Sequence, residues 1–169
     1  EVDADRQPNY VVIPLTDPLL FHCPMLFMED VGTAGLSERE VANLRDYFLK
    51  GGFLWVDDFW GSYAWQIWET EIRKVFPATD YPIVDLPSDH ALFHTLFDLK
   101  GVPQIPGIGT WLGSRTTSER GADSAEVHAR AISDEQGRVM VFMTHNTDVS
   151  DSWEREGEDP QYFYQFSID

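Results

Sequence analysis

The chain has 169 residues, 43% of them apolar, enough for one domain with its own core. Twelve basic against 29 acidic residues leave a formal charge of -17, which repels nucleic-acid backbones and anionic membrane surfaces; no nucleic-acid partner is expected. The single cysteine, Cys23, excludes an internal disulfide, and no apolar run approaches the ~20 residues that cross a bilayer.

Residues 1–8 are polar and are expected to form a flexible N-terminal segment, leaving residues 9–169 as a single α/β domain. Tyr10-Val11-Val12-Ile13 reads as a short buried strand ended by Pro14, and Asp17-Pro18 as a turn. A second apolar run, Met25-Leu26-Phe27-Met28, ends in Glu29-Asp30. Ser37 and Glu40 form a capping box for an amphipathic helix whose apolar stripe is Val41, Leu44, Phe48 and Leu49. Gly51 and Gly52 stop that helix, and Phe53-Leu54-Trp55-Val56 then reads as a strand covered on both faces. Strand, helix, strand predicts a parallel unit, and ligands of such sheets bind beyond the carboxyl ends of the strands. Residues 63–76 carry Trp65, Trp68, Ile72 and Phe76 at helical spacing, and Pro77 closes the helix. Residues 81–111 are mostly irregular, with a short helical piece over 90–97. Residues 126–132 alternate, Asp134-Glu135-Gln136-Gly137 turns, and residues 138–144 form a second, buried strand of a hairpin.

Three constellations carry chemistry. Asp57 and Asp58 end the buried strand, where a carboxylate can act as a general base or hold a ligand, with Trp60 as a floor; the plainer reading is a cap for the following helix. His90 and His94 stand four apart, a common zinc-pair spacing, so they are metal candidates without a recognisable third ligand; otherwise Ser88 or Asp89 caps the short helix and His90 bonds within the fold. His145-Asn146-Thr147-Asp148 also follows a buried strand, so Asp57, Asp58 and His145 are expected to converge at one sheet edge as catalytic candidates. Asn146 and Asp148 join the ligand-binding set. No Gly-x-Ser-x-Gly elbow, phosphate-cradling Gly-rich loop with lysine or dinucleotide fingerprint occurs, and His22-Cys23-Pro24 is no nucleophile elbow. The aromatic tail over 153–166 is expected to pack over the domain or meet a partner.

Gly51-Gly52-Phe53-Leu54 with Val56-Asp57-Asp58-Phe59-Trp60, Asp89-His90 with Phe93-His94, and His145-Asn146-Thr147-Asp148 with Trp153-Glu154-Arg155-Glu156 resemble domain-of-unknown-function family 4159 over nearly the whole chain. That family is similar to the class I glutamine-amidotransferase-like superfamily, including trehalose-utilisation-type domains. The resemblance implies a flavodoxin-like, mostly parallel sheet with helices on both faces. It also implies a bacterial, exported, periplasmic setting, and it names no cofactor. The chain departs from the pattern in keeping no cysteine at the amidotransferase elbow and in ending before a further apolar segment, so the last C-terminal element is expected to be missing. The functional expectation is a domain that binds a small molecule or protein partner in a pocket of Asp57, Asp58, Trp60, His90, His94 and His145. The alternatives are a carbohydrate-directed or metal-assisted hydrolase using Asp57 or Asp58 with His145, and a structural module that assembles through the aromatic tail.

Overall fold

A computed structural model describes residues 10–166; the expected flexible segment over 1–8 lies outside the described residues. Strands β1 (Met25–Glu29), β2 (Phe53–Phe59), β3 (Val84–Asp85), β4 (His128–Ser133) and β5 (Val139–His145) form one open sheet in the order β1-β2-β5-β4-β3. Among the described residues four helices, α1 (Glu38–Leu49), α2 (Gly61–Val75), α3 (Ile108–Ser114) and α4 (Pro160–Phe166), are interleaved with short 3-10 turns. Among the described residues no helix is long and apolar enough to cross a membrane.

Ser37 caps α1 as the spacing predicts, its side chain and that of Glu40 answering each other's backbone amides, an arrangement worth about 1 kcal/mol. Gly51 takes a left-handed φ of 99° after the helix, and Gly52 lies flat against the Tyr47 ring, where any Cβ would sit 2.3 Å from a ring carbon. The chain then enters β2, parallel to β1, with Phe27 opposite Trp55 and Glu29 opposite Asp57.

The sheet is mixed rather than mostly parallel. β1, β2 and β5 run parallel, but β4 is antiparallel to β5 and β3 to β4. The turn explains it: Asp134 accepts from the amides of Gln136 and Arg138, Gly137 supplies a φ of 81°, and so short a connection can only return the chain antiparallel.

Tyr10-Val11-Val12-Ile13 is not a strand. Tyr10, Val11 and Val12 are exposed, and only Ile13 and Leu15 reach the core. High β propensity does not by itself make a strand, because it reflects packing on a pleated, half-buried surface, and Tyr10 to Val12 are exposed.

The main core lies on one face of the sheet, where Leu54, Val56, Phe59, Val141 and Met143 meet α1 and α2 through Leu44, Phe48, Trp68 and Ile72. The opposite face is covered differently. A small second cluster of Ile105, Trp111, Tyr162 and Phe166, built from α3, α4 and the loop before α3, stands off the sheet. Between that cluster and the sheet lies a cavity of about 230 Å³. The predicted double coverage of β2 is therefore incomplete, and Trp55 remains only half-buried.

Candidate functional site

The three parallel strands each leave the sheet through a residue in the left-handed region: Asp30 after β1 (φ 51°), Asp58 in β2 (φ 49°) and Asn146 after β5 (φ 65°). Asp and Asn tolerate this conformation best among residues with a Cβ. The turns are bonded together, with the Asp30 amide donating to the Asp58 carbonyl at 3.1 Å and the Asn146 amide to the Phe59 carbonyl at 3.0 Å. The result is a rigid carboxyl edge carrying the predicted residues.

Side chains alternate along a strand, so residues two apart share a face. On the incompletely covered face Phe27, Trp55 and Phe142 form one row across β1, β2 and β5, in direct register. Two residues further towards the carboxyl ends, Glu29, Asp57 and Thr144 form a second row. Asp57 is fully buried, accepts from Thr144 Oγ1 at 2.5 Å and from the Ser150 amide at 3.1 Å, and burial pushes its carboxyl up to about 6 despite those bonds. Trp55 Nε1 donates to Thr144 Oγ1 at 2.9 Å, so a wall of the cavity is connected to the buried acid through one hydroxyl.

Ser150 joins the rows to Asp148. Its Oγ lies 2.6 Å from Glu29 Oε1 and 2.9 Å from Asp148 Oδ1, yet a hydroxyl carries one hydrogen, so both contacts are hydrogen bonds only if one carboxyl is protonated. Asp148 is the carboxyl better disposed to keep a proton: burial, reinforced by the charge of Asp58, pushes it up to about 7. Asp58 is itself raised, first by burial and then by Glu119, Glu29 and Asp30. Among the described residues Glu29, Asp57, Asp58 and Asp148 have no cationic partner, whereas neighbouring Asp151 is paired with Arg155.

Asp58 does not cap the following helix. It accepts from Trp60 Nε1 at 2.9 Å, and that ring is buried and packs against the edge. The N-terminus of α2 is satisfied from elsewhere, with Asn146 Oδ1 accepting from the Gly61 amide at 2.8 Å and Asp123 Oδ2 from the Ser62 amide at 2.9 Å. Asn146 also donates to the Glu126 carbonyl, so it is a brace of the edge.

His145 is turned away from Asp57. It follows Thr144 in β5 and therefore points to the other face, where it stacks on Phe59 with centroids 4.8 Å apart and lies beside Trp65 of α2. Its Nε2 faces the Gly61 carbonyl at 3.1 Å and its Nδ1 faces Arg130 Nη1 at 3.3 Å. A carbonyl only accepts and a guanidinium only donates, so this ring is the neutral Nε2–H form. Burial, with Arg130 and His128 alongside, holds it down to about 4. The expected convergence brings together Asp57, Asp58, Trp60, Asn146 and Asp148 but places the His145 ring behind the sheet.

His90 and His94 lie in the loop beside the cavity and are each taken up locally. His90, rather than Ser88 or Asp89, caps the 3-10 turn Ala91–His94 through Nδ1 and the Leu92 amide. His94 contacts Asp98 at 2.5 Å and the Ser88 carbonyl at 2.9 Å. A cap residue followed by a three-residue-per-turn helix does not put positions four apart on one face, so the zinc-pair geometry is lost. Among the described residues no group of three or more His, Cys, Asp or Glu side chains is arranged to hold a metal ion.

Sequence reasoning missed Trp55, Phe142 and Trp153 as cavity walls, with Thr144 and Ser150 as connectors. A signal was present: Phe27-Met28-Glu29, Trp55-Val56-Asp57 and Phe142-Met143-Thr144 repeat one aromatic, apolar, polar pattern at three strand ends. Cys23 stands just before β1, at the opposite end of the sheet from the acids.

Residues 1–167 match the family described as Domain of unknown function (DUF4159), and the chain belongs to that family. No curated protein matches the chain.

Proposed function

We propose that this member of the family is a ligand-binding domain, and that its ligand seats in the cavity between the free face of the sheet and the loops and helices over residues 91–114 and 149–166. The observation that carries the reading is the cavity itself. It is lined by Trp55, Phe142, Trp153 and Ile105, reaches the carboxyl end of β5 at Thr144, and is tied through that residue to a carboxyl buried against its own stability. Its volume of about 230 Å³ is below the ~300–1,000 Å³ of drug-sized sites, so it takes one ring or a short chain. Two features of the proposal rest on the family resemblance: descent from a flavodoxin-like, amidotransferase-like architecture, and loss of amidotransferase chemistry. Consistent with the second, the turn between β2 and α2 carries Trp60 and no thiol.

A thermal-shift screen of small metabolites tests the reading with the native chain and a cavity-filling Leu99→Trp variant. At ~100-fold excess over Kd a ligand adds ~2.7 kcal/mol to the folded state, a shift of several degrees. The native chain should show such shifts and Leu99→Trp should not, with its unliganded melting unchanged. Compounds that shift both proteins equally, or a screen without shifts, would remove the proposal.

A hydrolase is the second reading, and the raised carboxyls of Asp57 and Asp148 are what favour it. It loses His145 as a partner, and Asp57 has no exposed surface. If it holds, Asp148→Asn abolishes turnover of a panel of chromogenic glycosides and esters; a panel without turnover in the native chain disposes of it.

A further inference from the structure

We infer that the ligand of this cavity is an uncharged, hydrocarbon-like molecule of one ring or a few carbons, taken in without a hydrogen bond from any side chain inside the wall. The inference rests on the cavity being the binding site and adds the chemical class of what fills it.

The charge of the wall is the first support. Among the described residues none that lines the cavity is an Asp, Glu, Lys, Arg or His. Asp98 and Lys100, on either side of the lining residue Leu99, are exposed, and the buried Asp57 carboxyl lies beyond Thr144 and is no part of the wall. An ion brought into such a space gives up its water and meets no opposite charge in return.

The supply of hydrogen-bond donors is the second. Four polar side chains line the cavity, and three of them have spent their hydrogens within the protein. Trp55 Nε1 donates to Thr144 Oγ1 at 2.9 Å, the Thr144 hydroxyl is taken up by Asp57 and the Val56 carbonyl, and Ser152 Oγ donates to the Val149 carbonyl at 2.7 Å. The fourth, Trp153, is 55% exposed and stands on the solvent side. A carbonyl, carboxylate or phosphate oxygen placed inside would lose water and find no side-chain donor, which is the costly way to bury an acceptor. What remains is apolar surface, with Phe93, Ile105, Phe142 and Phe166 all buried. Such walls reward dispersion contact and hold water poorly.

Four probes of one shape separate the possibilities: ethylbenzene, 2-phenylethanol, phenylacetate and 2-phenylethylammonium, titrated by calorimetry and tryptophan fluorescence at low and high salt. Ethylbenzene should bind at least about ten-fold tighter than the alcohol, with a negative heat-capacity change and an affinity that salt does not weaken. Neither ion should displace it. Leu99→Trp, which fills the space, should weaken ethylbenzene at least about ten-fold; the ranking of the probes is read on the native chain and stands whether or not that variant folds. An alcohol that binds as tightly as ethylbenzene, or an ion that competes with it on equal terms, overturns the uncharged class and leaves the cavity as a site. A native chain that binds none of the four, or a folded Leu99→Trp that binds ethylbenzene undiminished, overturns both.

Discussion

Replacing Asp57 by asparagine should stabilise the protein at neutral pH, an unusual outcome for a fully buried polar residue. The carboxyl is raised from its ordinary value of 3.8 to about 6, chiefly by burial. A group whose proton is held more tightly in the folded than in the unfolded chain stabilises most below the unfolded value, and that contribution is lost as pH rises through the folded one. Stability tied to Asp57 therefore falls between about pH 4 and pH 6 and is flat above. At 1.36 kcal/mol per pH unit the loss is at most about 3 kcal/mol. The amide introduced by Asp57→Asn would keep every partner: its oxygen accepts from the Ser150 amide, and its NH₂ donates to Thr144 Oγ1. Thr144 is then free to donate to the Val56 carbonyl, 3.2 Å away in the native arrangement. Urea unfolding of both proteins, followed by tryptophan fluorescence from pH 4 to pH 8, reads the difference directly. The two curves should nearly coincide near pH 4, with D57N gaining up to about 3 kcal/mol by pH 7. A gap that does not change with pH, or a variant less stable at pH 8, would show that the carboxyl is not held there at a cost.

His145 should give the opposite slope. Its folded value is held down to about 4, so the stability it confers is complete above its ordinary 6.5 and is lost as pH falls from there towards 4. H145Q, whose amide still reaches the Gly61 carbonyl, should move acid unfolding by circular dichroism to lower pH; an unchanged midpoint contradicts the neutral, buried ring. Asn146→Ala removes the acceptor for the Gly61 amide and a donor to Glu126 from a left-handed position, and should cost about 2–3 kcal/mol in urea unfolding, whereas Asp58→Asn, which caps no helix and removes a carboxyl raised by burial, should not destabilise at neutral pH. Gly52→Ala drives a methyl into the Tyr47 ring and should lower stability by about 1–3 kcal/mol, visible as a drop in melting temperature.

Features set by local chemistry are legible in the sequence. The Ser37–Glu40 box, the Gly51-Gly52 stop, the parallel β1-α1-β2 unit, the helix expected over 63–76 and found at Gly61–Val75, and the hairpin at Asp134–Gly137 each follow from a few neighbouring residues. Tyr10 to Ile13 misleads because a strand depends on its neighbour, which no local pattern reveals. Asp57, Asp58 and Asp148 can be placed at one edge because all three stand at the ends of parallel strands. His145 differs from their company by a single residue of strand parity. Thr144 faces Asp57, and the next residue along must face the helices. The cavity is hidden for another reason: the four apolar residues of β2 read as doubly covered, yet the cover on the Trp55 side stands off the sheet.

If the Trp55 face, and not the His145 face, receives the ligand, the indole N–H resonances of the six tryptophans in ¹⁵N-labelled protein report it most directly as compounds that shift the melting of the native chain are added. Trp55 and Trp153 should shift, with Trp68, sealed in the opposite core, unmoved. Shifts confined to Trp60 and Trp65, with Trp55 silent, would contradict it.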